Sequence, residues 1–368
     1  LESDDAAMHV GALMIFTIPE NAAPHYTSQL LAALRAAPVA PEPWQVCLTR
    51  TAMGLRRWQP EECFDIDFHL RHTPLPAPGG ERELGMTVER LHSRPLDLRH
   101  APWECHLLSG LIGNRFALFF KVHPVLSDAT TIVQLLVNTL AEQTESLPRA
   151  PWSQAVTGWR RGADGVNFSG VAGRARVRPL AAAFGRLLRA GGSDSPDLRA
   201  PYTAPHLALQ VRTGPQRRVA TQQYERVRLA SVARSFGATE GELVLYLCAT
   251  ALRRFFREHN ALPLDESLVA MLPGQLDASG IGLVNLGTQY ADPHQRLKAI
   301  RASLRASREH LQALPQDLLP TYTFLATSAF LVGQVTRLGS GPFPMFNLVI
   351  SSTYGPESPR WLGESRLN

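Results

Sequence analysis

Long hydrophobic runs are absent from this chain of 368 residues. Its longest apolar stretches, at residues 116–120 and 243–252, are much shorter than the roughly 20 residues that a helix needs to cross a bilayer. The first seven residues include three acidic side chains and no basic one, which is not the pattern of a secretory signal. We therefore expect a cytoplasmic protein without a membrane-spanning segment.

Cysteine is also scarce, and several common signatures are missing. The four cysteines are far apart and none has CxxC spacing, which predicts reduced thiols and neither a disulfide framework nor a zinc site. The sequence has no GxSxG elbow, no phosphate-binding GxxxxGKS/T loop and no complete dinucleotide fingerprint. The net charge of +5 suits an anionic ligand or a membrane surface, but it is too small to indicate nucleic-acid binding.

Apolar residues are present in the amount that packed domains need. They make up 45% of the chain, and its length suits two domains of roughly 100–200 residues each. Strand-like and helix-like patterns alternate, which predicts an α/β protein with mixed sheets covered by helices in two lobes. We predict an N-terminal lobe at residues 1–145, a basic linker at 146–215 and a C-terminal lobe at 216–368 that is incomplete at its C-terminal end.

Hydrophobic periodicity predicts the individual elements. Strands are predicted at residues 10–18, 64–70, 103–111, 115–122, 217–228, 268–272, 281–286 and 345–351. Helices are predicted at residues 83–92, 128–140, 239–257, 292–314 and 318–338. Thr239 and Glu242 have the spacing of a capping box at the start of one of these helices.

The linker contains one further helical pattern. Leu180, Phe184 and Leu187 lie at helical spacing among several arginines, so they predict a basic amphipathic helix. Such a helix either packs on its own protein, which is the interpretation we favour, or lies on a membrane or lipid-droplet surface.

The local pattern with the most chemical content is KVHPVLSDA at residues 121–129, where a strand ends and a helix begins. His123 and Asp128 either line a cleft there or act as a strand-end histidine and a helix N-cap. His69 and His72 indicate no metal site, because HxxH on a strand directs the two rings to opposite faces.

Residues 121–129 resemble the HHxxxDG motif of the wax ester synthase/diacylglycerol acyltransferase (WS/DGAT) family, which is related to the wider HxxxD acyltransferases. Eight further segments are similar in style, at residues 8–13, 64–72, 78–85, 91–97, 103–106, 245–248, 251–255 and 291–293. The resemblance implies a two-lobed, CoA-dependent O-acyltransferase that makes wax esters or triacylglycerol. Acyl-CoA is then a substrate, no cofactor is bound, and a long-chain alcohol or diacylglycerol is the acceptor.

The chain departs from this motif at the base. The family's catalytic histidine stands four residues before the aspartate, and that position is Pro124 here, while Ala129 replaces the motif glycine. His123 matches the first histidine, but adjacent side chains on a strand point to opposite faces, so it is a poor substitute. Asp128 matches the structural aspartate. Two hypotheses follow: an O-acyltransferase, or a catalytically inactive relative that binds acyl-CoA or lipid.

Overall fold

The computed structural model describes most of the chain, in segments that fall into two compact units. The described segments are residues 9–50, 56–124, 126, 129–156, 174–191, 197–207, 214, 216–274, 280–336, 344–352 and 355–368. The N-terminal unit comprises Glu2–Asp164, Gly214–Thr221 and Thr353–Asn368. The C-terminal unit comprises Gly165–Thr213 and Gln222–Ser352, together with Leu1.

Eight strands and four helices of the described residues belong to the N-terminal unit. The strands are β1 (Val10–Thr17), β2 (Val46–Arg50), β3 (Arg56–Pro60), β4 (Leu70–Pro74), β5 (Trp103–Leu111), β6 (Arg115–Val122), β10 (Trp361–Leu362) and β11 (Ser365–Leu367). The helices are α1 (Tyr26–Ala36), α2 (Ile66–His69), α3 (Glu81–Ser93) and α4 (Ala129–Thr139). Six strands form one sheet in the order β10-β11-β1-β6-β5-β4, and β2 pairs with β3 separately. Only the β4–β5 pair of the six-stranded sheet is parallel.

The β5–β6 hairpin lies at the centre of this sheet, and its two strands confirm the predicted pair. Gly113 and Asn114 have φ angles of 75° and 54°, the left-handed backbone that a tight hairpin turn requires. One face of β6 contributes Phe116, Leu118 and Phe120 to a core with α1 and α4. The other face packs against α3. Because both faces are covered, nearly every side chain of β6 is buried.

The strand predicted at residues 64–70 is wrong. Residues 66–69 form the short helix α2, and the strand begins only at Leu70. The carboxylate of Asp65 accepts a hydrogen bond of 2.9 Å from the backbone N–H of Asp67, which caps a helical turn. This local hydrogen bond favours a helical turn over the strand that the alternating pattern predicts. The side chain of His69 lies in the core, where its ring stacks on that of Trp103 with 4.5 Å between the ring centroids.

The described part of the C-terminal unit contains three strands and five helices. The strands are β7 (Val269–Pro273), β8 (Ile281–Asn285) and β9 (Leu348–Val349), in the order β8-β7-β9. The helices are α5 (Arg174–Gly191), α6 (Arg226–Ser235), α7 (Glu240–Glu258), α8 (Pro293–Gln312) and α9 (Leu319–Thr336). Strand β7 is antiparallel to β8 and parallel to β9. None of the helices in the described segments is long and apolar enough to span a membrane.

The strand predicted at residues 217–228 is also wrong. Its second part is the start of α6, and its first part runs along α3 without joining a sheet. The backbone N–H of Val219 donates to the carboxylate of Glu89 at 3.1 Å, and that of Arg217 donates to the hydroxyl of Ser93 at 2.9 Å. Side chains therefore satisfy the N–H groups that a neighbouring strand would otherwise pair.

The predicted domain boundaries remain a prediction, but contacts in two places group the chain differently. Strand β11, near the C-terminus, pairs with β1, so the last residues complete the first sheet. Helix α5 of the predicted linker packs within the C-terminal unit, where Leu180, Ala183 and Leu187 are buried against residues of α8 and α9. The packed interpretation of this helix is confirmed for these residues.

The capping box of α7 is present and gives a stability prediction. The Thr239 hydroxyl accepts from the Glu242 N–H at 3.2 Å, and the Glu242 carboxylate accepts from the Thr239 N–H at 2.9 Å. Thr239→Ala leaves a helix N–H without its partner, so we expect the free energy of unfolding to fall by about 1 kcal/mol. Urea titration followed by circular dichroism measures this. Ser351→Ala removes an exposed hydroxyl of the same unit, and an equal loss in that control would contradict the cap's role.

Candidate active site

Strand β6 delivers the motif residues to the end of the central sheet. Its last residue, Val122, pairs with Val10 of β1 on one side and with Trp103 of β5 on the other. The backbone N–H of His123 then donates to the Pro102 carbonyl at 3.0 Å, and the carbonyl of His123 accepts from the N–H of residue 126 at 2.9 Å. The chain therefore turns immediately after His123, between a buried strand and helix α4.

The two motif positions in this turn have different environments. His123 is 8% exposed, whereas Pro124 is exposed. Continued alternation from β6 assigns His123 to the sheet face of Phe119 and Lys121, the face that α3 covers. No ionisable group stands at position 124. The role predicted for His123 remains a prediction, and Asp128 lies outside the described residues.

Lys121, two residues before His123, is completely buried. Its ammonium nitrogen donates to the Leu91 carbonyl at 3.1 Å and to the Arg94 carbonyl at 2.6 Å, at the C-terminal end of α3. The same nitrogen is 3.6 Å from a carboxylate oxygen of Glu104. A cation is well placed at this end of a helix, where unpaired carbonyls carry partial negative charge. Lys121 therefore ties α3 to the strand that carries the motif.

Glu104 is the anionic partner in this buried group. His106 is hydrogen-bonded to it at 3.3 Å, and Arg71 is 3.9 Å away. Burial acts to raise the pKa of Glu104, but the His106 hydrogen bond and the charges of Lys121 and Arg71 outweigh it, so the pKa is lowered. Burial lowers the pKa of Lys121, and the Glu104 carboxylate opposes that shift. The two opposite charges compensate each other at a place where Lys121 is completely buried and Glu104 is largely buried.

Two further imidazoles lie on the same side of the sheet. The Nε2 atom of His9 is 2.7 Å from the His92 carbonyl oxygen, and the two rings meet edge to face at 4.8 Å. Burial, with the charges of Arg217 and Lys121, lowers the pKa of His92 and keeps its ring neutral near pH 7. Continued by one residue, the β1–β6 register sets His9 opposite His123.

Sequence reasoning did not single out this group. His9 and His92 lie in two segments that were noted only for their resemblance to the family, and the partners of Lys121 are distant in sequence. One local signal is Gly11, where a Cβ atom would lie 2.8 Å from the Phe119 ring and 3.3 Å from Nδ1 of His92. Only glycine leaves room there for both rings.

The histidines of the HxxH pattern have separate structural partners. Nδ1 of His69 is bonded to the Trp103 carbonyl at 2.8 Å, while Nε2 of His72 is bonded to the Ser109 hydroxyl at 2.8 Å. Within the described segments, no group of three or more histidine, cysteine, aspartate or glutamate side chains is arranged to hold a metal ion.

Sequence comparison matches the chain to one family along most of its length. The model of the wax ester synthase/diacylglycerol acyltransferase catalytic domain matches residues 1–243, and that of the WS/DGAT C-terminal domain matches 278–368. A Mycobacterium tuberculosis protein named as a diacylglycerol O-acyltransferase is 33% identical over 417 residues, covering 100% of this chain and 83% of the relative. The O-acyltransferase WSD of Acinetobacter baylyi is 31% identical over 388 residues, covering 100% and 82%.

Solved structures agree with these matches. The wax ester synthase/diacylglycerol acyltransferase of Marinobacter aquaeolei VT8 superposes with a TM-score of 0.75 at 29% identity, over 100% of this chain and 82% of that one. The first condensation domain of the CDA synthetase has a TM-score of 0.53 at 15% identity, a likeness of fold alone. The fold and the motif strand define an acyltransferase of the two-domain α/β type. Within that class, the chain belongs to the WS/DGAT family.

The buried Lys121–Glu104 pair gives a second stability prediction. Lys121→Met removes the buried cation beside Glu104 and leaves the Leu91 and Arg94 carbonyls without their donor, so we expect the free energy of unfolding at pH 7 to fall by about 3–5 kcal/mol. In the wild type, the pKa of Glu104 is lower in the folded protein than in the unfolded chain. The ionised carboxylate therefore stabilises the fold fully above its unfolded-state pKa, and this stabilisation is lost as pH falls through its folded-state pKa. Without Lys121, fewer charges oppose the effect of burial on the pKa of Glu104, so that pKa rises and the deficit of the variant should shrink as pH falls.

Urea unfolding of both proteins between pH 4 and pH 8 measures this difference. Lys298→Met is the control, because Lys298 is exposed and is the only other lysine of the chain. Its effect should stay below about 0.5 kcal/mol at every pH. A Lys121→Met protein as stable as the wild type at pH 7 would show that the pair does not anchor α3.

Proposed function

We propose that this chain is an acyl-CoA-dependent O-acyltransferase that forms wax esters or triacylglycerol, and that it turns over slowly because its motif lacks the base. The donor is acyl-CoA, and the acceptor is a long-chain alcohol or diacylglycerol. The observation that carries the proposal is the match to both WS/DGAT domain models and to full-length relatives. Pro124 at the base position supports the slow turnover.

The chemistry explains why position 124 matters. The acceptor hydroxyl oxygen forms a bond to the thioester carbonyl carbon, the carbon–sulfur bond breaks, and CoA leaves as a thiol with the hydroxyl proton. A neutral imidazole suits the removal of that proton, because its unperturbed pKa of about 6.5 is close to the pH of the reaction. Proline has no group that accepts a proton. What remains is the rate gained by holding donor and acceptor together.

A second candidate is a catalytically inactive relative that binds acyl-CoA or lipid. The specific observation in its favour is the pair of changes at Pro124 and Ala129, which alter two positions of one motif. In this case the protein binds an acyl-CoA molecule without transferring its acyl group.

We also propose that the protein works in the cytoplasm, with peripheral contact to a membrane or lipid-droplet surface. The net charge of +5 supports this, since cationic proteins are attracted to anionic lipid surfaces. The hydrophobic acceptors of the reaction are found at such surfaces, so this contact brings the protein to its acceptor.

The first proposal predicts that Pro124→His raises activity. A positioned general base contributes roughly 10²–10⁴-fold, so the variant, alone or with Ala129→Gly, should form ester faster than the wild type by a factor in that range. The assay measures labelled ester from labelled acyl-CoA with hexadecanol or diacylglycerol. Pro76→His is the matched control, because Pro76 is also exposed and lies in the same unit but outside the motif. Ester formation that stays at the no-enzyme level in the wild type and in both variants would reject the catalytic proposal.

Calorimetry separates the second candidate from the first. Titration of acyl-CoA into the wild type should give saturable binding under either proposal, because both require a site for the donor. Binding without ester formation, in the wild type and in Pro124→His alike, supports the inactive relative. Absence of any saturable heat with a correctly folded protein would contradict both.

A further inference from the structure

A small cavity with unusual polar walls lies within the C-terminal unit. It is formed by residues of α5, α8 and α9, of strand β8 and of residues 198–201, and has a volume of about 20 Å³. Its polar side chains are Arg199, Ser307, His310, Tyr322 and Thr323, and the remaining lining residues are apolar. Among the described residues, no acidic side chain lines it. We call this space the α5–α8 cavity.

Two arginines beside the α5–α8 cavity have buried N–H groups without acceptors. The Nε atom of Arg199 and the Nε and Nη2 atoms of Arg186 are enclosed and have no hydrogen-bond partner in the part of the chain that the structure describes. Burial lowers the pKa of Arg199, and the charge of Glu266 opposes that shift. Enclosed N–H groups of a charged guanidinium that find no acceptor are costly, because they lose their hydration without gaining a hydrogen bond.

His310 and Tyr322 supply another unused donor in the same place. Nε2 of His310 is 2.8 Å from the Tyr322 hydroxyl oxygen, and Nδ1 is buried with no partner among the described residues. Burial and the charge of Arg186 lower the pKa of His310 to about 4, so the ring is neutral at pH 7. Burial raises the pKa of Tyr322, which keeps its hydroxyl protonated. In either tautomer of the ring, this pair retains one N–H or O–H that it has not donated.

We propose that the α5–α8 cavity binds one small anion of the halide class, with Arg199 and the His310–Tyr322 pair as donors and Arg186 as a nearby positive charge. The volume of the cavity limits the size of the ligand, because a cavity needs roughly 10–15 Å³, measured in the same way, to hold one water molecule. Chloride is only slightly larger than water and fits. Phosphate, sulfate and organic carboxylates have several heavy atoms and do not fit.

The site has a structural consequence that is independent of the acyl-transfer proposal. Helix α5 comes from the arginine-rich stretch of the chain, and its buried side chains pack against α8 and α9. An anion in the cavity compensates the positive charge that α5 and residue 199 bring to this core. The ligand therefore stabilises the docking of α5 on the two later helices.

Thermal unfolding at constant ionic strength tests the proposal, with sodium chloride exchanged for sodium gluconate, whose anion is too large for the cavity. Chloride should stabilise the protein with a saturating dependence. At ten times its Kd, the unfolding equilibrium constant should fall by about tenfold relative to gluconate. Arg199→Gln should lose this dependence. Arg305→Gln should keep it, because Arg305 is an exposed arginine of α8 away from the cavity. Equal chloride dependence in all three proteins would overturn the site.

Crystals of the wild type grown in sodium bromide give a direct measurement that does not depend on how the variants fold. An anomalous peak within hydrogen-bond distance of Arg199 and of the His310–Tyr322 pair is expected. Only ordered water there, at a bromide concentration where the stabilisation is saturated, would overturn the proposal.

Discussion

A buried ion pair beneath the central sheet is the interaction on which the motif region of this protein depends. Lys121 holds the end of α3 through two carbonyl oxygens while facing Glu104 on the neighbouring strand. A lone charge at this depth would destabilise the fold, so each group requires the other. Because β6 continues directly into His123 and Pro124, this pair helps to fix the backbone that presents the motif, together with the backbone hydrogen bonds of His123.

This separation explains how the family fold persists with a proline at position 124 of the motif. Position 124 is exposed in a turn, so a proline there disturbs no packing. His123 is buried beside a strand end, with its backbone bonded on both sides of the turn. A residue without an ionisable group at position 124 therefore changes the chemistry available at the turn while the sheet, α3 and α4 stay in place. Fold and activity are supported by different residues in this unit.

The C-terminal unit shows a comparable reliance on buried charge. Its three-stranded sheet is small, and much of the apolar core comes from helices, including α5. Arg186 and Arg199 bring positive charge into that core, where His310 and Tyr322 remain uncharged. In both units, helices pack around ionisable groups that are removed from water. The charges of these groups must therefore be balanced within the fold.

Several features were determined by the sequence alone, because they depend on residues close together in the chain. The β5–β6 hairpin follows from alternation and a Gly-Asn turn, and the start of α7 follows from a capping box. The proline at position 124 of the family motif is likewise read from the sequence. Other features were decided only by the tertiary structure. Phe16 pairs with Leu367, and Lys121 finds its carbonyl partners about 30 residues earlier. Local hydrogen bonds and hydrophobic periodicity depend on residues a few positions apart. Pairing between strands that are distant in sequence, and charge compensation between buried groups, exist only after the chain has folded.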